Sequence, residues 1–339
     1  AIAGRQPPAA PERAESPDTP AEAMAWRALD GLAAPNGGAD PRPKKPPFLA
    51  PDAFSNPDHQ RYALKTTAAA LICYLIYTGI GWDGIHTAMI TCYVAALGTT
   101  GETVHKLALR ITGCLIGAAM GVAAIAFVIP QLQSIGGLMA LVFAGILIAG
   151  WVAAGSERIA YAGVQIGLAF LLTVLNGFGP STDMSNAGDR IAGILLGNVI
   201  VYVIFTGIWP RSAAAAVRDR LVEALRALAR AASGPAPGRD DRIDDIATAA
   251  VALGNAREGL FLLPFEPRHQ QPDRDEVRRL AALIGSAAAL APKIALSATA
   301  QPALAGQLDA AADGLRAAGR ETGPDPVPSL AALDGTVAR

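Results

Sequence analysis

Between Tyr62 and Pro210 the chain alternates long apolar blocks with short polar clusters, and the block lengths predict six membrane-spanning helices. No charged residue occurs from Ile111 to Ser156. That run is too long for one bilayer crossing of about 20 residues and right for two crossings joined by a turn. Pro130 to Gly137, with Gln131, Gln133 and Ser134, supplies the turn. The same reading predicts spans at about Ala63–Gly81, Ile85–Thr99, His105–Ile129, Ile135–Ala153, Ile159–Gly177 and Arg190–Trp209. All are expected to be helices, because lipid leaves a backbone no hydrogen-bond partner but itself. The second is short for a crossing, and is expected to tilt little or to begin inside the protein. A soluble helical core is the alternative, disfavoured because six successive apolar runs of this length are rare in water-soluble folds.

The flanks change character. Residues 1–50 hold ten of the 25 prolines, and Pro41 to Pro47 (PRPKKPP) reads as an extended lead with one short helix at Ala21–Ala33. Nothing in the lead resembles a signal peptide. After Pro210 the chain turns rich in Ala, Leu and Arg. Leu221, Leu225 and Leu228 form one stripe while Arg218, Glu223, Arg226 and Arg230 lie mostly elsewhere, which describes an amphipathic helix. Ser233 to Gly238 breaks it, and further helices are expected at about Arg242–Leu263, Asp273–Ala298 and Ala303–Ala318. The expected fold is an all-α polytopic membrane bundle of six transmembrane helices with a C-terminal cytosolic helical region. Its parts are a Pro-rich lead at 1–58, a membrane domain at 59–210 and a cytosolic helical domain at 211–339. A tail lying on the membrane surface is the weaker option, since its acids offset its arginines.

Composition sharpens this division. Of 339 residues 52% are apolar and 17% charged, with a net charge of −1, which argues against nucleic-acid binding driven by bulk positive charge. Ten charged side chains fall among the 149 residues from Tyr62 to Pro210 and 47 among the other 190, so the average conceals a lipid-facing block between normally charged flanks. Arg61, Lys65, Lys106, Arg110, Arg158, Arg211, Arg218 and Arg220 cluster at one set of span ends; the opposite set holds Arg190 beside Asp83, Asp183 and Asp189. The positive-inside rule then places both termini in the cytoplasm, as an even number of crossings requires.

Small residues recur at four-residue spacing in three spans: Gly113, Gly117 and Gly121; Gly163 and Gly167; Gly193 and Gly197. Such faces let helices approach closely in lipid, and they predict a compact bundle without indicating a pore, since the same spacing serves any tight helix pair. Reactive chemistry is sparse. Cys73, Cys92 and Cys114 sit one each in the first three spans without a zinc-like spacing and read as buried filler. Walker, dinucleotide, HExxH and GxSxG patterns are missing, so neither enzymatic activity nor a cofactor or bound metal is expected.

Ionisable and polar groups at membrane depth carry the functional expectation, because they are costly there unless paired or wetted. Asp83 and His86, three residues apart at the first hairpin, are candidates for proton exchange; an ordinary interfacial loop is the alternative. Lys106 and Arg110, one helical turn apart, can present two positive charges to an anionic substrate, with Glu102 as counter-ion or proton acceptor; topology-setting cations are the alternative. Glu157 with Arg158, and Asp189 with Arg190, read as local charge pairs. Gln165, Asn176 and Asn198 are uncharged polar groups in or beside the last two spans, suited to inter-helix hydrogen bonds or to substrate contact.

The stretch Tyr62–Pro210 resembles the second membrane half of the fusaric acid resistance (FUSC) family, inner-membrane efflux proteins that include aromatic acid exporters and multidrug resistance components. The resemblance is carried by Ala63 to Thr67, Trp82-Asp83-Gly84, Gly101-Glu102 through Lys106 to Arg110–Gly113 and Gly117, and Gly155 to Gly163 with Gln165. It continues through Gly177 to Asp183, Asp189-Arg190-Ile191, Gly193-Ile194, Gly197 and Ile208-Trp209-Pro210. It implies export of aromatic acids or amphipathic drugs, driven by the proton gradient, with a periplasmic adaptor and an outer-membrane channel as partners beside the lipid bilayer. Family members of this type carry two related membrane halves, and one six-span set is present here. The Pro-rich start therefore reads as a linker after a first half, the alternative being that single halves pair as a homo-oligomer. A passive organic-anion channel and a non-transporting membrane scaffold with a partner-binding tail are the rival functions.

Overall fold

The computed structural model describes residues 53–176, 179–180, 185–233, 239–297 and 299–318. The expected helix Ala21–Ala33 and nearly all of the Pro-rich lead lie outside the described residues, as does most of Ser233–Gly238. The architecture is that of an all-α polytopic membrane bundle. Ten α-helices are described: α1 (Pro57–Gly79), α2 (Thr87–Ala95), α3 (Thr100–Ala123), α4 (Ile135–Ala153), α5 (Glu157–Val174), α6 (Ser185–Gly207), α7 (Ala213–Ser233), α8 (Arg239–Leu262), α9 (Arg274–Leu296) and α10 (Pro302–Ala318). A two-residue antiparallel pairing, Leu175–Asn176 with Gly179–Pro180, is the one strand pairing among the described residues.

Six of the described helical stretches are long and apolar enough to cross a membrane: Thr100–Gln131, Ile135–Ala153, Glu157–Val174, Gly188–Gly207, Arg242–Phe265 and Arg274–Leu296. The first four coincide with expected spans. The last two belong to the C-terminal helices, whose alanine content satisfies the same criterion. The expected first span is α1, which starts earlier than the hydrophobic run because Asn56 caps it through Asp58 N–H at 3.0 Å and Pro57 occupies its first turn. The expected second span is broken: α2 has nine residues, about 13 Å of helix, and Ala96 continues as extended chain. A new helix then begins at a capping box, in which Thr99 Oγ1 accepts from Glu102 N–H and the Glu102 carboxylate accepts from Thr99 N–H, both at 3.2 Å. At its far end α3 passes through a π-turn at Ala124–Val128 and a 3₁₀ turn at Ile129–Gln131 before Ser134 caps α4.

The described residues form two compact units. One comprises Phe54–Val217 with Glu258–Arg274; the other takes in Arg218–Arg257 and the described residues from Asp275 on. In the first unit α1, α2 and α6 enclose a core of Ala69, Ala70, Cys73, Ala88, Cys92, Ala95, Val201 and Phe205, with the Cys73 and Cys92 thiols 3.3 Å apart. Helices α3 and α5 pack along their length, joined toward one end by Ile125, Phe170 and Val174. Cys114, Ala169 and Ile194 knit α3, α5 and α6 together. Helix α4 turns most of its surface outward, Trp151 being 80% exposed, as a lipid-facing helix does.

Close approach explains the small residues. A Cβ on Gly113 would sit 2.6 Å from the Ala162 carbonyl oxygen, and on Gly121 2.6 Å from Thr173 Cβ, so α3 meets α5 backbone to backbone. At Gly117 a Cβ would overlap the Ile166 carbonyl. Gly197 of α6 meets α2 in the same way, 2.6 Å from Ala88 O, and Gly193 faces Ile85 O at 2.9 Å. Gly163 abuts the Ala153 backbone, and Gly167 lies beside Ala149 Cβ at 3.2 Å.

In the second unit Leu221, Leu225 and Leu228 of α7, Leu280 and Ile284 of α9, and Leu304, Leu308 and Leu315 of α10 are sealed from solvent. Ion pairs lie on its outside: Arg218 with Glu276, Arg226 with Asp313 and Arg230 with Asp245, at 2.6, 2.9 and 2.8 Å.

Candidate functional site

The N-terminal ends of α1, α3 and α5 and the C-terminal end of α6 lie together at one end of the membrane unit. Tyr62 Oη donates to Ala96 O at 3.0 Å, Thr100 N–H donates to Arg211 O at 3.0 Å, and Arg110 of α3 reaches Tyr161 of α5. The cations gather at this basic end.

Lys106 and Arg110 occupy one face of α3, and both turn to Tyr161. The Lys106 ammonium lies 4.9 Å from the Tyr161 ring centroid, and Arg110 Nη1 donates to Tyr161 Oη at 3.0 Å. Arg110 is 5% exposed and its Nε has no hydrogen-bond partner. Among the described residues no carboxylate forms an ion pair with either cation. A guanidinium in that position keeps much of its desolvation cost, and an anion is the group that would relieve it.

Asn198 and Gln165 lie close by in the packing. Asn198 of α6 is 4% exposed; its Nδ2 donates to Leu107 O at 3.3 Å, while its Oδ1 lacks a partner. Gln165 is buried against α3, where a Cβ on Gly113 would come within 2.8 Å of its own Cβ. Arg110, Gln165 and Asn198 thus line the junction of α3, α5 and α6. Glu102 is engaged differently, because its carboxylate closes the capping box at the start of α3, one turn before Lys106. Asn176, whose backbone is in the short pairing, has its side chain outside the described residues.

The first hairpin lies at the opposite end. Asp83 and His86 are both exposed, and the contact between them runs from His86 Nδ1 to the Asp83 main-chain oxygen at 3.0 Å rather than to the carboxylate. Trp82 Nε1 donates to Asp189 Oδ1 at 3.0 Å, tying the hairpin to α6. The local pairings expected of Glu157 with Arg158 and of Asp189 with Arg190 are replaced by these longer-range ones, because consecutive residues on a helix do not face each other. Arg158 pairs instead with Glu258, at 3.4 Å.

The profile of the fusaric acid resistance protein family matches residues 59–337. This chain belongs to the FUSC family. It is 41% identical over 187 residues to the multidrug resistance protein MdtO of Escherichia coli strain K12, a match covering 55% of this chain and 27% of that protein. MdtO of Shigella flexneri is 40% identical over 197 residues, 58% of this chain and 29% of the relative. The inner membrane protein YeeA of E. coli strain K12 is 30% identical over 127 residues, 37% and 33% respectively. The FUSC chain spans less than a third of the length of its MdtO relatives.

Several residues of this FUSC chain stand at the site without having been singled out from sequence. Tyr161 is one, although its spacing to Arg158 and Gln165 puts all three on one stripe of α5. Lys65, read only as a topology-setting cation, is buried: its Nζ donates to Trp209 O at 3.2 Å and lies 4.6 Å from the Phe205 ring centroid. It thereby holds a residue in the left-handed region, Trp209 having φ 43°. Phe261 and Phe265, distant in sequence, flank the His105 ring with centroids 5.4 and 4.5 Å away. Glu266 is buried at the start of α7, accepting from Ala213 N–H at 2.6 Å and Ser212 Oγ at 3.2 Å. Burial pushes its carboxyl above the ordinary value despite those two donated hydrogen bonds.

Proposed function

We propose that this chain is the transmembrane unit of an inner-membrane efflux system that moves aromatic acids or amphipathic drugs outward. Family membership and the MdtO relatives support transport as the class of activity. The observation that carries the substrate reading is Arg110: a buried guanidinium bonded to a tyrosine hydroxyl, with its Nε unpartnered and no carboxylate among the described residues paired to it. An anionic group supplies the missing charge, and Tyr161, with Lys106 beside it, offers an aromatic face next to that charge. Gln165 and Asn198 add polar contacts that orient the substrate.

Proton coupling is assigned to Glu102, Asp83 and His86. Glu102 holds the first turn of the helix that carries Lys106 and Arg110, so protonating it weakens a charge-assisted cap and loosens that turn. Asp83 and His86, exposed at the opposite end, exchange protons with the other compartment. The cation distribution supports a cytoplasmic basic end and cytoplasmic termini. The surface ion pairs of the Arg218–Arg257 unit favour water over lipid around it, which supports a domain order of lead (1–58), membrane domain (59–210) and cytosolic helical domain (211–339). A periplasmic adaptor, an outer-membrane channel and a second membrane half or second copy complete the assembly.

Everted vesicles containing the chain test the assignment. An imposed proton gradient should drive uptake of an aromatic carboxylate such as 1-naphthoate. Unchanged uptake after neutralising Lys106, Arg110, Asp83, His86 and Glu102 together would sink it, and currents that follow voltage without a pH gradient would favour a passive anion channel.

A further inference from the structure

Arg158 opens α5 at the basic end, and its two chemical surfaces are both occupied. The guanidinium carbon lies 4.1 Å from the centroid of the Phe261 ring, and Nη2 lies 3.4 Å from Glu258 Oε1. Phe261 and Glu258 are three residues apart on α8, less than a turn from each other on one face of that helix. A guanidinium stacks on an aromatic plane and pairs through its edge with a carboxylate. Here both partners come from the protein, and an aromatic carboxylate carries the same two groups in a single molecule.

The stretch that provides them packs on the first turns of α3, the helix that carries half-buried Lys106 and buried Arg110. Phe261 and Phe265 flank His105, the residue before Lys106. Gly101, in the first turn of α3, lets the Leu262 carbonyl come so near that a Cβ would sit 2.7 Å from it. The stretch is fastened beyond this point by Glu266 to Ala213 and Ser212, and by Gln270 Nε2 donating to Thr206 O at 3.0 Å. Arg158 and Glu258 themselves are about half exposed, and an exposed ion pair contributes little to stability. The contact is therefore displaceable where its surroundings are not.

We propose that Arg158 is the entry station for the aromatic carboxylate, and that Glu258 and Phe261 occupy it in the resting protein as an internal surrogate of that substrate. The proposal rests on the reading of Lys106 and Arg110 as the anion site. Substrate displaces the surrogate, ring for ring and carboxylate for carboxylate. It then moves one turn along α5 to Tyr161, where Lys106 and Arg110 receive it. The resting entrance stays closed to ligands that lack either the ring or the negative charge.

Binding of 1-naphthoate to the purified chain, followed by its fluorescence, tests this. Glu258→Gln keeps the shape of an exposed side chain and removes the competing charge, and should tighten binding about two- to fivefold, the span expected of a surface ion pair. Phe261→Leu keeps apolar bulk, removes the ring, and should act in the same direction. Arg158→Gln should weaken binding, and Glu258→Gln added to it should bring no gain. Unchanged or weaker binding in both Glu258→Gln and Phe261→Leu, with Lys106→Gln still weakening it, overturns the surrogate while leaving the anion site standing. Binding that ignores Lys106→Gln and Arg110→Met as well overturns both.

Discussion

Replacing Arg110 by methionine should make the protein more stable and unable to bind aromatic carboxylates. The wild-type side chain is 5% exposed, makes one hydrogen bond among the described residues, to Tyr161, and leaves Nε unsatisfied. A hydrogen bond from a charged donor contributes about 1.5–3 kcal/mol. Against it stands the desolvation of a charge with no ion-paired carboxylate among the described residues, which retains a penalty of several kcal/mol after relaxation. Methionine is unbranched and adaptable, fills similar length and carries no charge. The balance favours Arg110→Met by about 1–3 kcal/mol, and each kcal/mol raises the unfolding midpoint by about 2–4 °C. Thermal unfolding followed by tryptophan fluorescence, with and without 1-naphthoate, measures both parts. At a hundred times its Kd the ligand should stabilise wild type by about 2.7 kcal/mol and leave Arg110→Met unmoved. A variant that melts several degrees lower and still responds to naphthoate would show that Arg110 is a strut between α3 and α5, and would refute the reasoning.

Three further outcomes follow from the packing. Gly113→Ala places a methyl 2.6 Å from Ala162 O, so α3 and α5 must separate; a loss of about 1–3 kcal/mol is expected, and a midpoint equal to wild type would contradict the backbone contact. Cys73 and Cys92, with thiols 3.3 Å apart, should form an intramolecular disulfide under copper phenanthroline, seen as a two-hydrogen mass loss in the linked peptide; persistent free thiols at both positions would contradict the α1–α2 pairing. Glu266 gives a pH dependence of known sign. Its carboxyl is raised by burial, so its contribution is fully present below the ordinary value of 4.5 and is lost as pH rises through the higher folded value. The midpoint of wild type should therefore fall relative to Glu266→Gln as pH is taken from about 4.5 toward neutrality, and parallel curves would contradict the burial argument.

Much of the membrane unit can be read from the chain, and what cannot has physical reasons. Helices α3 to α6 follow from apolar run length alone, because lipid forces such runs to be helical. The break between α2 and α3 is hidden from that criterion, since Ala95, Ala96 and Leu97 are apolar whether helical or extended. Its local signal is the Thr99 to Glu102 capping spacing, just as Asn56-Pro57 marks the start of α1. At the site, Lys106 and Arg110 are legible because ionisable groups are rare at that depth. Tyr161 is half legible, through its place on the stripe with Arg158 and Gln165. Phe261, Phe265 and Glu258 are not, because their meaning comes from contacts with His105 and Arg158 about 100 or more residues away, which no local periodicity encodes. Asp83 and His86 show the reverse case: the three-residue spacing points to proton exchange between carboxylate and imidazole, and a 3₁₀ turn brings the ring to the backbone oxygen instead.

Transport itself is tested most directly by proteoliposomes reconstituted with the chain, loaded so that a pH gradient can be imposed, with accumulation of 1-naphthoate followed over time. Wild type should accumulate the anion only while the gradient lasts, and Arg110→Met should accumulate none. Equal accumulation by the two proteins would contradict the assignment of Arg110 as the residue that receives the substrate.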